Sequence, residues 1–178
     1  MKGQPQLFLL STEQPEMLMG GVGRESITIG AAGEALAEFY LWQFCKNVMR
    51  SNGAASYDLV AEHSGNLWRV QVKTSRYTTH GKGNCRYRYE FKRRFKESKR
   101  NKTTGYEKVD WKLYDSSDCD IYGLVAFEIK RVYFMPVECG EKVMSFDKRT
   151  FDVQGLEQIS FEAAIKRSKP AIGTSGDN

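Results

Sequence analysis

The segment that most restricts the fold is Tyr57-Asp-Leu-Val-Ala-Glu-His-Ser-Gly-Asn-Leu-Trp-Arg-Val-Gln-Val-Lys73. Two runs rich in apolar and β-branched residues, Tyr57 to His63 and Leu67 to Lys73, flank a Ser64-Gly65-Asn66 turn signal, and this pattern specifies a β-hairpin. With Ser64-Gly65 as a two-residue loop, Asp58 faces Gln71 and Lys73 is diagonal to it. With Gly65-Asn66 as the loop, Asp58 faces Lys73 and Gln71 is the diagonal neighbour. Side chains alternate with period two, so both registers keep all three on one face, roughly 5 to 8 Å apart. A three-residue loop with a bulge would break the grouping. The opposite face of the second strand carries Trp68, Val70 and Val72, an apolar row suited to a core.

Such a trio suits metal-assisted attack of water on a phosphodiester. Asp58 is a ligand for a hard divalent cation, with the Gln71 amide oxygen and a backbone carbonyl as further oxygen donors, and a bound metal lowers the pKa of its water. Lys73 is placed to stabilise phosphate charge or orient the nucleophile. The plainer reading is a half-exposed strand whose alternating polar residues are simply solvated.

Context upstream and downstream decides between them. Gly30-Ala-Ala-Gly-Glu34 opens a helical stretch, Tyr57-Asp-Leu-Val60 and Val70-Gln-Val-Lys-Thr-Ser75 follow, and Arg88-Tyr-Glu-Phe91, Ser117-Asp-Cys-Asp-Ile-Tyr-Gly-Leu-Val-Ala126 and Val132-Tyr-Phe-Met-Pro-Val137 come after. In order and spacing, over about residues 27 to 146, these pieces resemble the PD-(D/E)XK nuclease superfamily, and most closely its group I intron-associated homing endonuclease branch, which uses Gln where most relatives have Asp or Glu. The resemblance implies an α/β (mixed α+β) fold of restriction-endonuclease type, with a central mixed sheet flanked by helices. It implies Mg²⁺ or Mn²⁺ as cofactor, double-stranded DNA as substrate, products with 5′-phosphate and 3′-hydroxyl ends, and a homo-oligomer. Glu34, Asp58, Gln71 and Lys73 match the motif positions, with Glu34, Asp58 and Gln71 as the metal-binding set. Gln71 is the departure from the wider superfamily: a neutral ligand replaces a second carboxylate, so Glu34 must compensate for the weaker hold on a cation. Two other readings stay open, a Holliday junction resolvase with a similar motif order and a DNA-binding protein whose nuclease site has decayed.

Helical spacing sets Ala32, Ala35, Leu36, Phe39 and Gln43 on one side, with Glu34, Glu38 and Leu41 roughly opposite. The small residues Gly30, Ala31, Ala32 and Gly33 would let this helix approach the sheet closely, as a site shared between helix and hairpin requires.

Charge is concentrated in one place. Residues 76 to 112 carry thirteen Lys or Arg against four acids, a balance of +9, and the remaining residues sum to −4. A basic segment directly after Lys73 is a candidate phosphate-binding surface, with Arg76, Arg86, Arg88, Lys92, Arg93 and Arg94 as its DNA contacts. Cys85 to Phe91 alternates like a strand carrying Arg86 and Arg88 near the active-site face, and Lys92 to Lys102 reads as a strand end and loop. Tyr77, Tyr87 and Tyr89 are candidates for stacking on bases or sugars.

The rest of the chain narrows the alternatives. A length of 178 residues suits one domain, placed at 24–167, with a loosely ordered leader at 1–23 and a disordered tail at 168–178. Cys45, Cys85, Cys119 and Cys139 lack zinc-ligand spacing and read as reduced thiols of a cytoplasmic protein, and no apolar run is long enough to cross a bilayer. His63 and His80 are the only histidines, which excludes a His-rich zinc centre; the lack of a Walker A loop or GxGxxG argues against nucleotide-driven motors and dinucleotide oxidoreductases. Ile121 to Ile129 and Val132 to Val137 form a second expected hairpin, Asp118 and Asp120 read as turn and strand-start residues, and Gln158 to Arg167 reads as a short helix.

Overall fold

The computed structural model describes residues 22–80, 84–95, 110–170 and 172–173. Helix α1 (Val22–Leu41) leads into β1 (Asn47–Arg50), β2 (Leu59–His63) and β3 (Asn66–Ser75). Next come β4 (Tyr77–His80), β5 (Asn84–Glu90), β6 (Lys92–Phe95), β7 (Asp110–Leu113), β8 (Ile121–Ala126) and β9 (Arg131–Pro136). The described chain ends with β10 (Val143–Asp147), α2 (Leu156–Arg167) and the two-residue β11 (Ile172–Gly173). The central sheet has the order β1-β2-β3-β8-β9, with β11 also paired to β3; β3 and β8 are parallel and every other pair is antiparallel. Smaller sheets form from β10-β5-β4 and from β6-β7.

The β2–β3 turn takes Ser64-Gly65, one of the two expected two-residue loops. Ser64 (φ 51°) and Gly65 (φ 74°) both adopt left-handed backbone, as a two-residue hairpin turn matching strand twist requires, and His63 pairs with Asn66. β3 runs on to Ser75, because β8 pairs with its second half from Val70 onward.

Alternation sorts the strands into two cores. Trp68, Val70 and Val72 of β3 and Ile121 and Val125 of β8 pack with Ala37 and Leu41 of α1 and Phe161 and Ala164 of α2. Tyr122, Leu124 and Ala126 instead join Tyr87, Tyr89 and Phe91 beneath the smaller sheet. The molecule is thus layered: helices, central sheet, small sheet.

Helix α1 seats itself by a different stripe from the one its apolar residues suggest. Gly33, Ala37 and Leu41 are buried, whereas Ala32, Ala35, Phe39 and Gln43 face solvent. Gly33 sets the approach: a Cβ there would lie 1.9 Å from Thr74 Oγ1 and 2.9 Å from Thr74 Cβ. Gly30, expected to share that role, has nothing within 4 Å of such a Cβ.

The ends differ modestly from expectation. Helix α1 already includes residues 22–23, and most of the expected leader lies outside the described residues. At the other end the expected tail contributes structure: Ser168 is buried with its hydroxyl donating to the Asp120 carbonyl (3.2 Å), and Ile172 and Gly173 pair with Leu67 and Asn66. Helix α2 begins two residues before the expected Gln158.

Candidate active site

The site lies where β2 parts from β3. Their ladder ends at Leu59–Val70, leaving the next outward N–H and C=O of β3, those of Val72, without a strand partner. Side chains take the strand's place. Asp58 faces Gln71 across the hairpin, and its Oδ2 accepts from the Val72 N–H (2.7 Å) and from Gln71 Nε2; Gln71 Nε2 also donates to the Val72 carbonyl (3.1 Å). Because Asp58 donates its own N–H to the Val70 carbonyl (3.0 Å) and its backbone carbonyl accepts from the Ser51 N–H (2.8 Å), the backbone that carries the carboxylate is held on both sides.

Gln71 presents its amide nitrogen here, not the oxygen expected of a ligand. A donor group sits between a carboxylate and an edge carbonyl, two hard oxygens whose combined field favours positive charge. A half-turn of the amide would bring Oε1 to the same place.

Burial dominates the electrostatics. It pushes the Asp58 carboxyl up to about 6; the hydrogen bond from the Val72 N–H opposes this, the negative charge of Glu34 reinforces it, and Lys73 and Gln71 pull it down. Glu34 is half-buried on α1 and lines a cleft of about 440 Å³ with Ser26, Ile29, Gly30, Val72, Lys73, Thr74 and Arg76. It belongs to the helix layer, lines the cleft together with Lys73, and its charge is felt by Asp58. Among the described residues no group of three His, Cys, Asp or Glu side chains could hold a metal, so any cation here depends on two carboxylates supplemented by amide and carbonyl oxygens.

Lys73 is half-buried, and burial lowers its pKa while Asp58 and Cys119 raise it. Among the described residues it has no carboxylate within ion-pair distance. Its Nζ instead lies 3.4 Å from Tyr114 Oη and 4.6 Å from the centre of the Tyr114 ring. Tyr114 escaped the sequence reading, being 41 residues from Lys73 with no motif of its own.

The residues of the basic segment differ in exposure. Arg86 and Arg88 are exposed on β5, the strand that the alternation from Cys85 to Phe91 predicts. Arg88 approaches Glu90 (3.9 Å), Lys92 pairs with Glu90 (2.9 Å) and covers the Trp111 ring (4.9 Å), and Arg76 lies 3.6 Å from Glu128 beside the cleft. Arg93 departs from expectation: its guanidinium binds the buried Asp118 at 2.7 Å, so it braces the fold. The side chain of Arg94 lies outside the described residues. Tyr87 and Tyr89 are core residues, buried because β5 lays its tyrosines against the central sheet, and only Tyr77 of the three is exposed. Asp120 binds the Arg69 side chain and backbone N–H, a strand-start role as expected.

Comparisons with known proteins agree with this architecture. The fold is similar to that of a bacterial homing endonuclease, I-Ssp6803I, with a TM-score of 0.56 and 20% identity over 81% of this chain and 99% of that chain. Comparison with curated proteins finds no match. The family model for PD-(D/E)XK endonuclease matches residues 31–155, which span both the hairpin and the helical glutamate, and the chain belongs to that family.

Proposed function

We propose that this endonuclease is a divalent-metal-dependent enzyme of the homing type that hydrolyses phosphodiester bonds in double-stranded DNA. The observation that carries the reading is the open rung of β3, where Asp58, Gln71 and the Val72 carbonyl meet beside Glu34 and Lys73. These oxygen donors fit Mg²⁺ or Mn²⁺, and the donor hydrogen already seated between Asp58 and Val72 is the chemical argument for a cation at that point. Glu34, Asp58 and the turned Gln71 amide would hold the metal, which when bound supplies Lewis acidity toward the phosphate and acidifies a water.

The chain's own residues do the rest. Lys73, unpaired with Asp58, leaves that carboxylate available and can donate to a phosphate oxygen or to the attacking water. Arg76, at the mouth of the cleft, and Arg86, Arg88 and Lys92 are suited to hold the backbone on either side of the scissile bond. The likeness to a homing endonuclease supports that biological type, and a homo-oligomer acting on DNA in the cytoplasm would supply the two active sites that cutting both strands requires.

One observation favours a second reading, a DNA-binding protein with an inactive site: Gln71 is neutral and turns its nitrogen toward Asp58. Incubation with supercoiled plasmid, linear duplex and four-way junction, with Mg²⁺ or Mn²⁺ and with chelator, separates the readings. Metal-dependent nicking abolished by chelator is expected on duplex DNA. Binding without cutting on all three substrates would select the inactive-site reading, and cutting confined to the junction would select a resolvase.

A further inference from the structure

Lys73 needs a reason to stand apart from Asp58. An ammonium on a β-strand two residues from Gln71, with a buried carboxylate near it, would ordinarily close onto that carboxylate and neutralise it. The structure shows a different partner. The Lys73 ammonium rests against the face of Tyr114 and within reach of its hydroxyl, so it receives both the attraction of the aromatic quadrupole and an acceptor oxygen.

Tyr114 is itself well fixed. Its ring packs edge-on against Tyr122, a fully buried residue of β8, at 6.0 Å, and its backbone N–H donates to the Phe91 carbonyl at 3.3 Å. The next residue, Asp115, accepts hydrogen bonds from the Ser117 backbone N–H and hydroxyl and pairs with Lys112 at 2.6 Å. The phenol is therefore held between the central sheet and the end of β7, and cannot follow Lys73 toward Asp58.

From this geometry we propose that Tyr114 is a positioning residue that holds the Lys73 ammonium off Asp58 and directs it toward the cleft. The inference rests on the nuclease reading of the site and assigns a residue to it. Two interactions of different kind act together: the ring restrains the position of the ammonium, and the hydroxyl fixes its direction. Tyr114 does not touch the reacting phosphate and transfers no proton. It also immediately follows β7, so the basic ribbon of β6 and β7 and the lysine are joined through three residues of chain from Trp111.

The two parts are separable by substitution. Tyr114→Phe keeps the ring and its packing on Tyr122 and removes the hydroxyl; Tyr114→Leu removes both. Single-turnover cleavage of duplex DNA should slow about tenfold in the Phe variant, as expected for loss of one directing hydrogen bond, and further in the Leu variant, with KM for DNA unchanged in both. A merely structural tyrosine would leave the Phe variant at the wild-type rate.

A second readout is independent of cleavage. Protons on the Lys73 ε-carbon, held over an aromatic ring, should resonate upfield of other lysines in the protein and in the Phe variant, and return to ordinary positions in the Leu variant. A Lys73 signal at the ordinary position in the wild type would overturn the proposal, as would equal cleavage rates in all three proteins. If the wild type binds DNA and never cuts it, the nuclease reading fails, and the ε-proton shift decides the placement of Lys73 alone.

Discussion

The β2–β3 hairpin and the basic segment that follows it both carry many polar side chains, yet the structure uses them in opposite ways. In the hairpin, polar residues gather because the other face of β3 is anchored: Trp68, Val70 and Val72 pack under the helices, so Gln71 and Lys73 have no choice of side. In the segment from Arg76 to Lys112, charge alone does not fix direction. Arg93 turns inward to Asp118, Lys92 leans on Glu90 and Trp111, and Arg86 and Arg88 remain outside. A polar residue's role is set by what its strand buries opposite, and not by the local charge balance.

The largest effects should come from the hairpin. Asp58→Asn or Lys73→Ala is expected to lower metal-dependent cleavage by roughly 10²- to 10³-fold or more, with little change in DNA affinity, measured by cleavage and binding assays on the same preparation. A parallel loss of affinity would place these residues with the binding surface and erase the contrast between the two regions.

Asp58 should also set stability against activity. Its carboxyl titrates near 6 in the folded protein against 3.8 for the ordinary side chain, so the folded state holds the proton more tightly. The stabilisation is complete below pH 3.8 and disappears as pH rises through 6, at most about 3 kcal/mol for a shift of this size. Denaturation of the metal-free protein should therefore show stability falling across that window, and the Asn variant should lack this fall. At pH 7 the Asn variant should be the more stable of the two, because its Oδ1 can take the place of Asp58 Oδ2 as acceptor for Gln71 Nε2 and the Val72 N–H. A wild-type profile that rises from pH 4 to 6 would contradict the burial argument for this carboxylate.

Gly33 sharpens the helix side of the site. Gly33→Ala forces a methyl group into the Thr74 side chain and should cost about 1 to 3 kcal/mol in chemical denaturation, with partial recovery when Thr74→Ala is added. Cleavage should fall along with stability in the single variant, since Glu34 is the next residue on the same turn. Unchanged stability would mean that the helix does not depend on that close approach.

What was legible in the sequence follows the same division. The hairpin could be read because apolar and polar residues alternate from Trp68 to Lys73 and Ser64-Gly65 suits a two-residue turn, which gave the Asp58–Gln71 pairing as one of two choices. The second hairpin, β8 and β9, was legible for a similar reason, a long apolar run broken by turn residues. The seating of α1 was not, since alanines and glycines give almost no contrast between faces and the choice falls to one steric contact at Gly33. Tyr87, Tyr89 and Phe91 did carry a signal, an apolar row at period two, but the arginines between them drew the reading toward DNA. Tyr114 carried none: its meeting with Lys73 exists only because β7 ends beside β3.

The smallest predicted effects test the basic segment itself, by separating Arg93 from Arg88. Both are arginines on neighbouring strands in the same charge run, and a reading from charge alone gives them the same role. Arg93→Gln strands the buried Asp118 without its cation, so it should lower stability by about 1 to 2 kcal/mol and leave the salt dependence of DNA binding unchanged. Arg88→Gln loses only a long surface contact to Glu90, so stability should stay within about 0.5 kcal/mol while the slope of log affinity against log salt falls by about one. Urea titration and binding across a salt series measure the two quantities on each variant. If Arg93→Gln instead flattens the salt slope at unchanged stability, the Asp118 pair opens on DNA and the segment acts as one phosphate-binding surface after all. The expected crossing of effects would mean that burial of Asp118, and not the position of Arg93 in the sequence, decides what that arginine does.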